Sequence, residues 1–305
     1  MLLSTEKDWI TTGRLFFAEG SKLYHYTSVE ALYSIISNKT FWLVNTISSN
    51  DLTELRISKT ELVTILKTIK DRQRGKGIKD FIDDLIDNVE NVFKNLFSHF
   101  NHYMICLTED PDHLSHWERY ANNKRGVSIG LDANKINEYF FNIKNENLFS
   151  PLGFYKMIYD ENEFINNATL CIKDFYKASK SDCALGLPSI VLNCLYSSVI
   201  THKKNKYFSG ENEIRIDYRP KIYDKLYWRP PELKNSSIEQ TYFAPIRGEI
   251  RSFHHLCLTD FWGSDLISEI MLGPNCTQSK DELRAFLDAN ALNNTKITVS
   301  KIPIR

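Results

Sequence analysis

Neither charge is in excess in this sequence: 38 lysines and arginines balance 38 aspartates and glutamates over 305 residues. A neutral chain has no general attraction for nucleic acid or for an anionic bilayer, so such a contact would need a local patch. No window approaches the roughly 18 uncharged apolar residues that cross a bilayer, and no membrane partner is expected. Glu6, Lys7, Asp8 and Arg14 interrupt the apolar residues of the N-terminal stretch, which is unlike the apolar centre of a secretory signal, and a cytoplasmic protein is expected. The cysteines (Cys106, Cys171, Cys183, Cys194, Cys257, Cys276) include no C-x-x-C pair, which suits buried reduced thiols. G-x-x-x-x-G-K-[ST], G-x-G-x-x-G and G-x-S-x-G are all missing, so phosphate-cradling loops and a nucleophile elbow have no support. His113 with His116, and His254 with His255, have the only metal-like spacings. Neither is joined by a cysteine or carboxylate motif, and no metal is expected.

What the chain does have is 42% hydrophobic and 12% aromatic content, enough to bury a substantial core. The pattern is α+β. Short strands are expected at 23–27, 41–44, 103–107, 127–131, 211–219, 267–272 and 297–302, and amphipathic helices at 28–38, 57–69, 81–97, 114–121 and 280–289. One domain over 1–305 is expected, with a helical excursion at about 51–100 and a mostly helical middle at about 133–206. The stretch 71–79 (DRQRGKGIK) reads as an exposed basic loop, and it is the one local hint of a phosphate backbone.

The stretch Leu23-Tyr24-His25-Tyr26-Thr27 organises the rest. Its alternating large side chains suit a strand, and Ser28 can cap the helix that follows, which sets His25 near a strand end facing a helix start. Ligands favour that position because free N–H groups point at it, yet on this stretch alone a buried structural histidine is the plainer reading. Glu211-x-Glu213-x-Arg215 is a second feature: in a strand, these three side chains share a face and can bind a ribose diol or stabilise a cation. A self-paired exposed face is the plainer alternative. Trp117, Tyr120 and Ala121 lie on one helical face, as a core contact or a stacking surface for a flat ring. Asn50-Asp51-x-x-Glu54 reads as a helix start with something like a capping box.

Taken in order, these segments resemble a widespread bacterial family, the domain of unknown function 2971 family. The resemblance rests on Leu-Tyr-His-Tyr-Thr at 23–27, Asn50-Asp51-x-x-Glu54, Cys106-Leu107-Thr108-Glu109, Trp117-x-x-Tyr120-Ala121 with Gly126, Glu211-x-Glu213-x-Arg215 and Ile270-Met271-Leu272-Gly273-Pro274. The chain departs at Leu52, where proline is usual, at His116, where methionine is commoner, and at Leu107-Thr108, where phenylalanine-serine is usual. The motif order is also similar to ADP-ribosyltransferase-type folds, which implies a mixed central sheet of that type with helical insertions. It further implies NAD as substrate, Glu213 and Glu211 as catalytic carboxylates, and His25, Tyr26, Thr27, Trp117, Tyr120 and Arg215 as nucleotide-binding residues. Tyr26 or Trp117 would be the stacking wall, and His25 and Glu213 would meet across one pocket. The resemblance implies an unknown protein or nucleic-acid acceptor and roles such as toxin or antiphage defence. The alternative is a non-catalytic nucleotide- or partner-binding module on the same fold.

Overall fold

Helices begin where a short polar side chain can take over a backbone N–H that has no partner within the helix. Ser28 accepts from the N–H of Ala31 at 3.2 Å, Asp160 from that of Glu163 at 2.8 Å, and Ser279 from that of Glu282 at 3.4 Å. Ser58 and Glu61 form a reciprocal capping box.

The structure is a computed structural model that describes residues 17–46, 57–96, 102–144, 152–220, 238, 240–246, 248–259, 262–263 and 265–303. Its first half runs β1 (Lys22–Thr27), α1 (Val29–Asn38), β2 (Thr40–Asn45), α2 (Lys59–Asp71), α3 (Lys76–Leu96), β3 (Tyr103–Thr108), α4 (Leu114–Tyr120), β4 (Val127–Asp132) and α5 (Ala133–Lys144). Then come β5 (Leu152–Lys156), α6 (Glu161–Ala178), α7 (Pro188–Ser198), β6 (Glu213–Tyr218), β7 (Tyr242–Ile246), β8 (Glu249–Cys257), β9 (Ile267–Leu272), α8 (Lys280–Ala289) and β10 (Lys296–Val299). The chain is α+β, with an open, mixed sheet: β10 pairs β9 in parallel, and β4, β1, β3, β2, β8 and β7 continue the order through antiparallel pairs. No helix among the described residues is long and apolar enough to cross a membrane.

Two compact units divide the chain, one from residues within 47–101 and 156–210, the other from 14–46, 102–155 and 211–305. The first is helical. Leu62 and Leu66 of α2, Leu85 of α3, Phe164 and Ile172 of α6 and Leu195 of α7 share its core. The second holds the sheet, whose main core joins Leu23, Ile105 and Ile214 on the strands to Leu32 and Ile36 of α1 and Leu287 of α8. Trp117 and Ala121 pack with Tyr24 and Tyr26 in a separate cluster.

Most strands and helices stand where periodicity puts them, and five differences are informative. The basic stretch 71–79 is not one exposed loop: α2 extends to Asp71, α3 starts at Lys76, and the buried Gln73 donates from its side chain to the Ile69 carbonyl at 2.9 Å. Antiparallel helices need only such a short connection. The middle includes the strand β5, and the β7–β8 hairpin has no counterpart among the expected strands. Glu211 lies outside the strand it was expected to share with Glu213: it ends a 3-10 helix (Lys206–Glu211), and Asn212 takes a left-handed φ of 42°. That reversal breaks the period-two row. Finally, β6 is buried on both faces rather than half-buried. Asn50, Asp51 and Glu54 lie outside the described residues.

Gly126 explains its own motif. A Cβ there would sit 2.1 Å from the Thr27 carbonyl oxygen, because β4 starts beside the end of β1. Its N–H donates to Ala121 at 2.8 Å and its carbonyl accepts from Gly273 at 2.9 Å. Gly126→Ala is therefore expected to lower the stability of the sheet by about 3 kcal/mol, measured by urea unfolding. A loss of a few tenths would contradict the close approach.

Candidate functional site

The register of β1, β3 and β6 decides which side chains can meet. Tyr24 lies opposite Thr108, and Thr108 opposite Glu213. Because side chains alternate along strands, Tyr24, Tyr26, Met104, Cys106, Thr108, Glu213, Arg215 and Asp217 turn to one face. Leu23, His25, Ile105, Leu107, Ile214 and Ile216 turn to the other, where the apolar ones join the main core.

The structure thus sets the motif strands side by side, with β1 and β6 about 10 Å apart across β3. It does not bring His25 and Glu213 into one pocket. His25 is half-buried, meets Phe41 edge-on with ring centroids 5.8 Å apart, and donates from Nδ1 to the Cys106 carbonyl at 3.0 Å. That carbonyl belongs to the stretch of β3 between Met104, paired with β2, and Thr108, paired with β1. Burial lowers the His25 pKa, with the bond to Cys106 acting against it, so the imidazole is neutral at pH 7. Thr27 ends β1 beside Gly126.

On the opposite face, β6 carries a row of paired charges. Arg215 grips Glu213 with two hydrogen bonds, Nε to Oε1 at 2.6 Å and Nη2 to Oε2 at 3.0 Å, and both side chains are almost fully buried. Asp217 faces Arg219 at 3.1 Å and His102 at 3.3 Å. Burial works to raise the Asp217 pKa, but the attraction of His102, Arg219 and Arg215 outweighs it and holds the carboxylate below its ordinary value.

Glu211, displaced from the strand, makes different contacts. It accepts from the Tyr120 hydroxyl at 2.7 Å and from Arg119 Nη1 at 3.3 Å, the latter a half-exposed side chain. The His116 ring lies beside this pair, 6.0 Å from the Tyr120 ring. Nδ1 of His116 is buried without a hydrogen-bond partner. Burial, followed by the neighbouring His113, lowers the His116 pKa. Its ring stacks on Tyr26 at 5.1 Å and 23°, and Tyr26 donates to the Asp110 carbonyl at 2.9 Å while accepting from the His113 N–H at 3.1 Å. Burial raises the Tyr26 pKa, so the phenol stays protonated. One cluster thus unites β1, α4 and the segment before β6.

The expected stacking wall is not available at Trp117 or Tyr26. Trp117 is fully buried, donates to Asp112 Oδ1 at 2.7 Å and packs edge-on against Tyr26 at 4.7 Å. Asp112 also accepts from Ser300 and from the Lys301 N–H, so the indole helps fasten the C-terminal segment. His254 and His255, being adjacent in β8, point to opposite faces, and no group of three His, Cys, Asp or Glu that could hold a metal occurs among the described residues.

Sequence reasoning missed His116 as a site member, reading it only as half of a metal spacing. It also missed Asp112, for which Asp110-Pro111-Asp112 before a helix was the available signal, and the exposed Trp42. The run Phe41-Trp42-Leu43-Val44 is apolar throughout and does not say which face is covered.

Residues 116–216 match a family described as protein of unknown function, DUF2971. The match spans Trp117, Tyr120, Gly126, Glu211, Glu213 and Arg215. No curated protein and no solved structure matches the chain.

Two outcomes follow. Glu213→Ala takes the bidentate carboxylate away from the buried Arg215 guanidinium and should cost about 3–5 kcal/mol. Glu211→Gln keeps an acceptor for Tyr120 and should cost about 1 kcal/mol. Equal losses in urea unfolding would contradict the different settings of the two carboxylates. As for pH, His25, His116, His254 and His255 all have pKa values lowered by burial. The unfolded chain then binds protons first as pH falls below about 6.5. The urea midpoint should fall steadily from pH 7.5 to 5.5, and a flat or rising midpoint would contradict burial of these imidazoles.

Proposed function

We propose that this chain, which matches the DUF2971 family over residues 116–216, cleaves NAD at the bond between nicotinamide and ribose and passes the ADP-ribosyl group to an acceptor or to water. The observation that carries this reading is the cluster in which Glu211, held by Tyr120 and Arg119, is linked through the rings of Tyr120 and His116 to Tyr26 of the N-terminal motif strand. In this reaction the C1′–N bond breaks, its electron pair leaves with nicotinamide, and positive charge builds on the ribose. A carboxylate fixed by two donors is placed without reorganisation to stabilise that charge. The incoming nucleophile adds to C1′ and loses its proton to complete the transfer.

Among the two carboxylates, Glu211 fits the role better. Glu213 is already neutralised by a bidentate arginine, so it acts as a positioning residue that keeps Arg215 in place. His25 is likewise a positioning residue, pinning the Cys106 carbonyl on the far face. A second reading, a nucleotide-binding module without turnover, is favoured by the tight Glu213–Arg215 pair and by the separation of His25 from Glu213.

Nicotinamide release from NAD by the purified protein, with and without a cell extract as acceptor source, tests the proposal. Wild type should turn NAD over, Glu211→Gln should fall by about 100-fold or more, and His25→Ala should keep most of the rate. NAD binding without nicotinamide release under either condition would favour the module and overturn the enzyme.

A further inference from the structure

Trp42 is the one exposed ring in a set of four stacked rings. The pairing of Val44 with Met104 puts Trp42 on the same sheet face as Cys106 and Arg215. Its indole stacks on Phe253 at 4.1 Å and 20°, Phe253 on Tyr242 at 5.6 Å and 25°, and Tyr242 on His255 at 4.1 Å and 14°. Phe253 is buried, whereas Trp42 is 37% exposed although its strand lies between β3 and β8 in the interior of the sheet. Cys106 of the neighbouring β3 is exposed too, so the face is open at this point.

A cation stands beside the stack. Arg251 lies two residues before Phe253 on the same face of β8, about 7 Å along the strand. Arg251, itself 17% exposed, donates to Oε2 of Glu249 from Nη2 at 3.0 Å and from Nε at 3.3 Å, and the Glu249 side chain is 65% exposed. Both bonds go to one oxygen of an exposed carboxylate, and a phosphate can offer the guanidinium two oxygens in its place.

We propose that Trp42 is a stacking platform for the base of a nucleotide whose phosphate is met by Arg251. The inference deepens the proposed function, resting on it only for the identity of that nucleotide as part of NAD. A flat ring laid on Trp42 extends a stack that already exists, and the stacked Phe253 holds the indole in place, so little side-chain freedom is lost on binding. The ring geometry suits a purine or pyridine, and the adjoining guanidinium selects a phosphorylated ligand over a bare one.

The test uses AMP, NAD, adenosine and ribose 5-phosphate with the full chain, reading affinity by calorimetry and tryptophan fluorescence. Trp42→Ala should weaken AMP and NAD by roughly tenfold or more, while Trp42→Phe should stay within about threefold. Arg251→Ala should weaken AMP but not adenosine. Thermal melting shows whether each variant is folded, and the phenylalanine variant keeps the question open to test if the alanine variant is not. Undiminished AMP and NAD binding by folded Trp42→Ala, or no AMP or NAD binding by wild type at millimolar concentration, overturns the platform. Ribose 5-phosphate bound as tightly as AMP overturns it as well. If NAD is turned over equally by wild type and Trp42→Ala, the platform falls and the enzymatic reading stands. If AMP binding is lost in Trp42→Ala while wild type never releases nicotinamide, the platform stands and that reading falls.

Discussion

A β-strand has two edges, and in this protein one edge of β3 is divided. β6 pairs the whole of β3 from Tyr103 to Thr108, so β1 and β2 must share what is left, β2 at Tyr103 and Met104 and β1 at Thr108. Between those contacts β1 follows β4 and β2 follows β8. The carbonyl of Cys106, left in the gap, is taken by His25. The histidine at the centre of the N-terminal motif therefore has a structural task fixed by topology, and the residues beside it, Tyr24 and Tyr26, face the other way.

That division also decides the chemistry of the acidic motif. Burying a carboxylate in the interior of a sheet is unfavourable unless a cation accompanies it, and along β6 the cations come from the same strand or its neighbours. Glu213 and Asp217 are held in this way. Glu211 escapes because Asn212 reverses the backbone before the strand begins. Lying outside the ladder, Glu211 faces α4, where Tyr120 and Arg119 supply donors and His116 leads back to Tyr26.

Much of this was legible in the amino-acid sequence. The helix over 280–289 and the strand over 267–272 follow from periodicity, and both stand at those residues. The α+β class follows from alternating short strands and amphipathic helices. Other features depend on tertiary context. The left-handed Asn212 has no local signal stronger than that of any asparagine, yet it moves Glu211 to a different element. The β7–β8 hairpin forms against β2, and its sequence contains Pro245 and exposed Phe243 and Ile250, a poor advertisement for a strand. Charged residues alternating with Ile214, Ile216 and Tyr218 mimic a half-exposed strand, and only the ion pairs show how both faces can be buried. Trp117 and Trp42 are equally tryptophan in sequence, but one is sealed beneath α4 and the other opens to solvent.

The placement of these side chains depends on the alignment of three strands, and a shift of one residue would send every side chain of β1 to the opposite face. Cross-strand nuclear Overhauser contacts in selectively labelled protein measure that alignment directly. Thr108 should show backbone contacts to Tyr24 on one side and to Glu213 on the other. Contacts from Thr108 to His25 instead would swing the imidazole onto the face of Glu213 and contradict the arrangement described.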